Sequence, residues 1–237
     1  MRARLAGAHA GKKLLLTVSR LAPEKNVAFL ADVLDQCPDA CLAIVGDGPQ
    51  RPELERRFAG KNANFLGYLK GADLAAAYAS ADAFVYASEM ETMGNVVLEA
   101  MASGCALVAP RAGGIPSLVN HGETGLLYPP GDLEEAVRYT RLILGDDSTR
   151  AQLSQAARFW VEGWDWSHAI NQVRAIYQES IDQYQRAARR RTYRQGLAQL
   201  VMSALVSGFK SVGPPRDRVK KGKAEKNGRR SPALASR

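Results

Sequence analysis

The sequence predicts an α/β fold, a doubly wound parallel sheet of the Rossmann type. Between Lys13 and Tyr128, short apolar runs without polar alternation recur, which is typical of strands buried on both faces. Amphipathic stretches separate these runs, as expected where helices connect parallel strands. The chain has 237 residues and is 46% hydrophobic, which is sufficient for one large core.

The elements can be assigned in chain order. Strands are expected at KLLLTV, CLAIVG, ANFLGYL, AFVYAS, CALVAP and, as a short sixth, within TGLLYPPGD. Helices are expected at about 27–36, through Leu54 and Phe58, at 72–81, in the segment after ETMGN and at 133–144. After Asp146 longer helices follow, at 150–161 and 168–190, and then an amphipathic stretch at 192–209. The chemically distinctive loops all follow strands, at the sheet edge where such folds bind ligands.

The charge is unevenly distributed. Residues 186–237 hold 15 Lys/Arg and two acids, a net +13, whereas the rest holds 17 Lys/Arg and 22 acids, a net −5, which together give +8. A basic tail on a mildly acidic body does not indicate a nucleic-acid partner. The three cysteines lack metal-ligand spacing, and no apolar run approaches the roughly 18 residues that span a membrane. The first residues lack the apolar region of a secretory signal.

The segment ETMGN lies between a predicted strand and a predicted helix. Backbone N–H groups at a helix start favour anions or hydroxyl groups, and Gly94 permits a ligand to approach the backbone. Glu91 and Glu99, with seven residues between them, could accept hydrogen bonds from hydroxyl groups at both ends of a ligand that has a phosphate between them. The alternative is that Glu91 caps the helix and Glu99 is a solvated helix residue.

Two further loops follow strands. In SRLAPEKN, Arg20 and Lys25 could clamp a diphosphate and neutralise the charge of a departing leaving group, or they could be solvated surface cations. Asn26 is expected to cap the next helix. In RAGGIPSLV, the pair Gly113 and Gly114 predicts a turn with positive φ or room for a ligand.

Together, and in this order, these motifs resemble the C-terminal half of the GT-B glycosyltransferases of family 4. The resemblance is carried by the SRLAPEKN loop, by the two glutamates within SEMETMGNVVLEAMASG, and by APRAGGIPSLV and GETGLLYPPGD, over about residues 4–166. Within that family, the stretches from IVGDGPQRPELERRFAG to VAPRAGGIPSLV are similar to plant and cyanobacterial sulfoquinovosyltransferases, which pass sulfoquinovose from a UDP-sugar to diacylglycerol. Met93 departs from the Phe or Leu of many members, one apolar residue for another.

The resemblance implies a role for eight residues. Glu91, Arg20 and Lys25 form the expected catalytic set, with the two cations on the diphosphate and the glutamate at the donor sugar. The expected donor-binding set comprises Tyr68 at the uracil, the backbone of Met93, Gly94 and Asn95 at the sugar and phosphate, and Glu99 at the ribose hydroxyl groups. Such enzymes retain the anomeric configuration and need no metal or other cofactor.

The resemblance also implies an organisation. We expect residues 1–12 to be the remnant of an interdomain linker, 13–185 the nucleotide-sugar domain, 186–209 a basic amphipathic helix and 210–237 a disordered basic tail. The N-terminal acceptor domain of a GT-B enzyme is expected to be missing. We therefore expect weak donor binding and little transfer by this chain alone.

The expected partners are a nucleotide-sugar donor, a lipid acceptor and an anionic membrane surface. The segment 186–209 is basic and amphipathic, so it could lie on anionic lipid, pack on the missing domain or present a solvated face. The resemblance implies a plastid or a membrane-associated location. Two alternative functions remain: a family-4 hexosyltransferase that uses UDP-glucose or GDP-mannose, and a non-catalytic nucleotide-sugar-binding fragment.

Overall fold

The computed structural model describes residues 1–163 and 166–210, without the side chains of residues 166, 168, 169 and 205–210. It divides into two compact units, Met1–Gln172 and a second that begins at Val173. The first unit contains the whole sheet. The described part of the second is helical throughout.

Six strands form one parallel sheet in the order β3-β2-β1-β4-β5-β6. They are β1 (Lys13–Val18), β2 (Ala40–Val45), β3 (Ala63–Gly67), β4 (Ala83–Val85), β5 (Ala106–Pro110) and β6 (Leu126–Tyr128). The chain starts in the middle, adds two strands on one side and then crosses over to add three on the other. The predicted fold class is confirmed, and the strand order reverses between β1 and β4, where doubly wound sheets bind ligands.

Eight α-helices are described in residues 1–163 and 166–210. They are α1 (Arg2–Ala6), α2 (Phe29–Asp35), α3 (Arg51–Arg57), α4 (Gly71–Ser80), α5 (Asn95–Ala102), α6 (Leu133–Gly145), α7 (Asp147–Glu162) and α8 (Trp166–Lys210). None of these helices is long and apolar enough to span a bilayer. The expected cap at Asn26 is wrong: Asn26 has a φ of 47° and ends a short 3-10 helix at Pro23–Lys25, and α2 begins three residues later.

Alternate side chains along each strand belong to two different hydrophobic clusters, one on each face of the sheet. In β1, Leu14 and Leu16 belong to one buried cluster, and Leu15 belongs to the other. Successive strand side chains point to opposite faces, so helices cover the sheet on both sides. Within the segment predicted as a linker, Leu5 of α1 is fully buried in the first cluster. The origin of that segment stays a prediction.

Helix α8 continues without interruption through residue 186, where the basic segment was expected to begin. The stretch predicted as a basic amphipathic helix is therefore the continuation of a longer helix. No proline interrupts residues 166–210, which permits a helix of this length. The tail predicted to be disordered falls, beyond Lys210, on residues that lie outside the described ones.

Candidate functional site

The loops after β1 and β4 meet at the point where the strand order reverses. The Lys25 Nζ donates a hydrogen bond to the Glu91 Oε2 over 2.7 Å. Both side chains are largely buried, with 19% and 15% of their surface exposed. The Ser88 hydroxyl donates to the Glu24 carbonyl over 3.1 Å, which joins the same two loops a second time. The structure thus brings two of the three predicted catalytic residues into direct contact.

Tyr86, directly after β4, supplies a second donor to the same carboxylate. Its hydroxyl donates to the Glu91 Oε2 over 2.5 Å, and the ring is buried and stacked on Phe84. The Tyr86 carbonyl in turn accepts a hydrogen bond of 2.8 Å from the buried Tyr128 hydroxyl. Burial, together with the neighbouring Glu91 carboxylate, raises the pKa of Tyr86 well above its usual range, so this hydroxyl stays protonated as a donor.

The Glu91 carboxylate is held as an anion. Burial acts to raise its pKa, but the hydrogen bonds from Lys25 and Tyr86 lower it, and the net pKa lies below the ordinary 4.5. Both of these bonds end on Oε2. The Gly94 N–H also helps to lower this pKa. Because a carboxylate can accept about four hydrogen bonds, at least one lone pair of the second oxygen, Oε1, stays available to a ligand.

The loop that carries Glu91 is shaped by glycines on the neighbouring loop after β5. The Gly114 N–H donates to the Glu91 carbonyl over 2.6 Å. Gly113 has a φ of 56°, as predicted, and a Cβ there would lie 2.5 Å from that carbonyl oxygen. The room provided by these glycines is filled by the backbone of residues 91 and 92. Their role in the structure is loop packing, which the sequence pattern did not suggest.

Glu99 lies on α5 and makes a different contact. Its Oε2 accepts a hydrogen bond of 2.8 Å from the hydroxyl of Tyr78, whose ring is buried beside Phe84. Glu99 itself is exposed. Gly94, with a φ of 58°, is the N-cap residue directly before α5, so the two glutamates flank a helix N-terminus. Of the two, Glu91 faces the Gly94 N–H at this helix start, and this backbone donor helps to lower the pKa of its carboxyl group.

The side chains of the other predicted site residues are exposed. Arg20 is exposed, and its guanidinium makes no hydrogen bond or ion pair within the part of the chain that the structure describes. Met93 and Asn95 are exposed at the start of α5, and Tyr68 is 66% exposed directly after β3. Tyr68, just past the end of β3, lies three strand spacings away from β4, which is about 14 Å across the sheet.

The GDGP turn after β2 borders the loop that carries Arg20. The Leu21 N–H donates to the Asp47 carbonyl over 3.0 Å. A Cβ at Gly48 would lie 2.4 Å from the Leu21 carbonyl oxygen, so only glycine allows this approach. The turn thereby supports the backbone next to Arg20.

Within the described residues, no group of three or more His, Cys, Asp or Glu side chains could hold a metal ion. The expectation that no metal or other cofactor is needed stays a prediction.

Sequence reasoning missed the two tyrosines that bind the two glutamates. Tyr78 was part of an apparently apolar helix and Tyr86 part of an apparently apolar strand. Neither pattern shows that a hydroxyl group reaches a loop residue. The only signal was indirect, since a buried tyrosine usually has a hydrogen-bond partner.

The sequence of residues 5–160 matches the sequence model of a family described as "Glycosyl transferases group 1". The chain belongs to this family. The match contains both glutamates, the loop with Arg20 and Lys25, and all six strands.

Curated relatives support the same assignment. Over 177 residues the chain is 45% identical to "Sulfoquinovosyl transferase SQD2" of Arabidopsis thaliana, covering 73% of this chain and 35% of that protein. Over 170 residues it is 42% identical to the "GDP-mannose-dependent alpha-mannosyltransferase" of Mycolicibacterium smegmatis, covering 71% of this chain and 44% of that protein. The chain thus spans less than half the length of these relatives.

Solved structures share the fold of this chain. The structure of Anabaena Alr3699/HepE in complex with UDP-glucose superposes with a TM-score of 0.66 at 30% identity, over 76% of this chain and 52% of that one. The C-terminal domain of the Francisella tularensis glycosyl transferase group 1 family protein LpcC has a TM-score of 0.59 at 23% identity and shows the fold alone. This chain covers 91% of that isolated domain and 69% of its own length.

Proposed function

We propose that this chain is the donor half of a retaining hexosyltransferase, which passes sulfoquinovose from UDP-sulfoquinovose to diacylglycerol. The observation that carries the proposal is the contact of Lys25 and Tyr86 with Glu91 at the point where the strand order reverses. A 45% identical relative named as a sulfoquinovosyl transferase supports the choice of sugar. The contacts proposed for the diphosphate, the sugar and the nucleoside follow from the chemistry of the residues at this edge of the sheet.

The diphosphate would bind between the loop of Arg20 and Lys25 and the start of α5. The Lys25 ammonium has three donors, of which Glu91 occupies one, so two are available to phosphate oxygens. Because Glu91 compensates the charge of Lys25, the uncompensated cation of this loop is Arg20. Arg20 would therefore supply most of the net attraction for a diphosphate that becomes a leaving group, and the positive helix end adds to it.

The sugar and the nucleoside would lie on either side of the diphosphate. The Oε1 of Glu91 would accept hydrogen bonds from donor-sugar hydroxyl groups, next to the backbone of Met93, Gly94 and Asn95. Glu99, held by one tyrosine and exposed, would bind the ribose diol. Tyr68, at the same sheet edge but farther along, would contact the uracil.

A second candidate function keeps the site and changes the donor. Relatives named as GDP-mannose-dependent mannosyltransferases reach 42% identity. A neighbour of the same fold is described as a complex with UDP-glucose at 30% identity. These two similarities favour UDP-glucose and GDP-mannose as the alternative donors, and a non-catalytic donor-binding role is the third possibility.

Arg111 is the residue of this chain that could select a sulfonated sugar. It follows β5, next to the Glu91 loop, and is exposed without an ion pair in the described part of the chain. A sulfonate needs cationic donors, which Arg111 could supply. The acceptor lipid, the plastid or membrane-associated location and a separate acceptor domain are part of the same proposal and follow from the likeness to sulfoquinovosyl transferase.

Calorimetry on the full chain tests the proposal. UDP, GDP, UDP-glucose and UDP-sulfoquinovose are titrated into the parent chain and into Arg20→Ala and Arg111→Ala, with and without EDTA. We expect UDP-sulfoquinovose to bind more tightly than UDP-glucose, and Arg111→Ala to remove that difference. Arg20→Ala is expected to weaken all four ligands by about tenfold or more, the effect of a lost charge-assisted contact. EDTA is expected to change nothing.

Each result has a definite reading. Preference for GDP would favour the mannosyl alternative, and equal binding of both UDP-sugars would remove the sulfoquinovose assignment. If the chain alone transferred sugar rapidly, the proposal that it supplies only the donor half would be wrong. Absence of binding by every nucleotide would contradict the donor site itself.

A further inference from the structure

Helix α8 carries two apolar faces that point to different sides. In its first part, the exposed residues Val173, Tyr177, Ile181 and Tyr184 recur at spacings of four, four and three, so they form one stripe. Farther along, a second stripe is formed by exposed residues at the same kind of spacing: Tyr193, Leu197, Leu200 and Val201.

The second stripe is not a continuation of the first. Tyr184 and Tyr193 are nine residues apart, which is two and a half turns at 3.6 residues per turn. Their side chains therefore leave the helix on opposite sides. A single docking partner that follows one side of the helix cannot cover both stripes.

The charge differs between the two parts as well. Arg186 and Arg190 precede Tyr193 and Leu197 by seven residues each, about two turns, so they lie on the same side as the second stripe. Arg189 precedes Tyr193 by four residues and joins them there. No Asp or Glu occurs between Asp182 and Asp217. The first part of the helix, by contrast, contains acids as well as bases, and among them Glu179 and Asp182 lie on the side away from the first stripe.

We propose that the second stripe, together with Arg186, Arg189 and Arg190, is a docking face for an anionic lipid surface. An aromatic and aliphatic face beside arginines, without any acid, is the composition of helices that lie in the plane of a membrane interface. Arginines near an anionic leaflet strengthen binding by about fivefold each, and the apolar side chains insert between the headgroups. This face, defined by residues 186–204, does not depend on the donor site.

The helix would lie on the lipid and would not cross it. Residues 186–204 extend about 28 Å as a helix, and the second stripe runs along one side of it, while the exposed Met202 lies on the other side. The described helices include no membrane-spanning candidate, in agreement with peripheral binding. The first stripe would remain available for a protein contact on the other side of the helix.

Vesicle flotation with the full 237-residue chain tests the proposal. One vesicle preparation is phosphatidylcholine alone, and the other is phosphatidylcholine and phosphatidylglycerol at about 2:1. An apolar variant, Leu197→Ser with Leu200→Ser, is matched by Tyr177→Ser with Ile181→Ser on the first stripe. A charge variant, with Arg186, Arg189 and Arg190 each changed to Gln, is matched by Arg56, Lys70 and Arg174 each changed to Gln. Circular dichroism verifies the helix content of every variant.

We expect the parent chain to float with anionic vesicles and not with neutral ones, and added salt to weaken this binding. The apolar and the charge variant are each expected to lose about tenfold or more of the partition coefficient, while both matched controls bind as the parent does. Equal binding by all variants, or no binding by the parent, would overturn the proposal. Loss in the charge variant alone would also overturn it, since a general polyanion contact, such as one to nucleic acid, would not need the leucines.

Calorimetry with UDP on the same variants separates this inference from the proposed function. The two test variants and their two matched controls are expected to bind UDP as the parent chain does. A failure of vesicle binding with normal UDP binding contradicts only the lipid-binding face. A failure of UDP binding in the parent chain contradicts only the donor site.

Discussion

The two glutamates on either side of the α5 start lie in different surroundings. Glu91 is mostly buried and receives two donors on one oxygen, from Lys25 and Tyr86. Glu99 is exposed and receives one, from Tyr78. A carboxylate fixed before the ligand arrives can contribute preorganised electrostatics, whereas an exposed one can adjust to its partner. Under the proposed function, Glu91 would therefore meet the reacting end of the donor, and Glu99 would meet the more tolerant, ribose end.

The largest effect is expected from Gly113→Ala, which would displace the Glu91 loop and leave Glu99 in place. The new Cβ would lie 2.5 Å from the Glu91 carbonyl oxygen, and the φ of 56° adds strain. We expect the free energy of unfolding to fall by about 3 kcal/mol or more, because a backbone clash adds to the cost of positive φ. Urea unfolding measures this change.

Gly60→Ala is the matched control for that substitution. Gly60 also has a positive φ, of 77°, but a Cβ at this position would meet no atom within 4 Å. Its cost is expected to be about 1–2 kcal/mol, from the left-handed conformation alone. Equal losses in the two variants would show that the contact between the two loops does not matter.

The next largest effect is expected from Lys25→Ala, which removes the cation that pairs with Glu91 but not with Glu99. It leaves a mostly buried carboxylate with one donor fewer, so we expect a loss of about 1–3 kcal/mol of unfolding free energy at neutral pH. In a Glu91→Gln background the same change should cost less, because no carboxylate is left unpaired. A full loss in both backgrounds would contradict the coupling between Lys25 and Glu91.

The pH dependence of that loss has a definite sign. Although burial opposes it, the pKa of Glu91 is lower in the folded chain than the ordinary 4.5. A group with a lowered folded pKa stabilises the protein above its unfolded pKa, and this contribution disappears as the pH falls through the folded pKa. The gap between the parent and Lys25→Ala should thus be full at neutral pH and shrink below pH 4.5. A gap that does not change with pH would contradict this assignment.

The smallest effects are expected from the two tyrosines, which form a matched pair. Tyr86→Phe removes a bond to the buried Glu91 carboxylate and should cost about 1–2 kcal/mol, whereas Tyr78→Phe leaves an exposed Glu99 that water can solvate and should cost about 0.5–1 kcal/mol. Carboxyl NMR titration of Tyr86→Phe should also show the Glu91 pKa rising toward 4.5. The reverse order of costs would remove the contrast between the two sites.

Sequence periodicity was sufficient for the sheet and for the location of the site. Buried runs such as KLLLTV predict strands because both faces are covered, and charged loops after parallel strands must meet at one edge. That argument was enough to pair the loop of Lys25 with the loop of Glu91, and the structure shows the two side chains in contact.

Contacts that depend on long-range packing could not be predicted in the same way. The hydroxyl of Tyr86 reaches Glu91 because the loop folds back on the strand, and nothing in the alternation of β4 records that turn. Asparagine is a common helix-capping residue, yet Asn26 adopts a left-handed backbone conformation, which asparagine tolerates. For Gly113 and Gly114 the sequence left two interpretations open, a turn with positive φ or room for a ligand, because a sequence does not show which backbone lies opposite them.

A crystal structure of the full chain with UDP bound tests the central claim most directly. We predict that the diphosphate lies within hydrogen-bond distance of both Arg20 and Lys25 at the start of α5, with the ribose at Glu99 and the uracil toward Tyr68. A nucleotide bound at another edge of the sheet, or one that contacts neither cation, would contradict it.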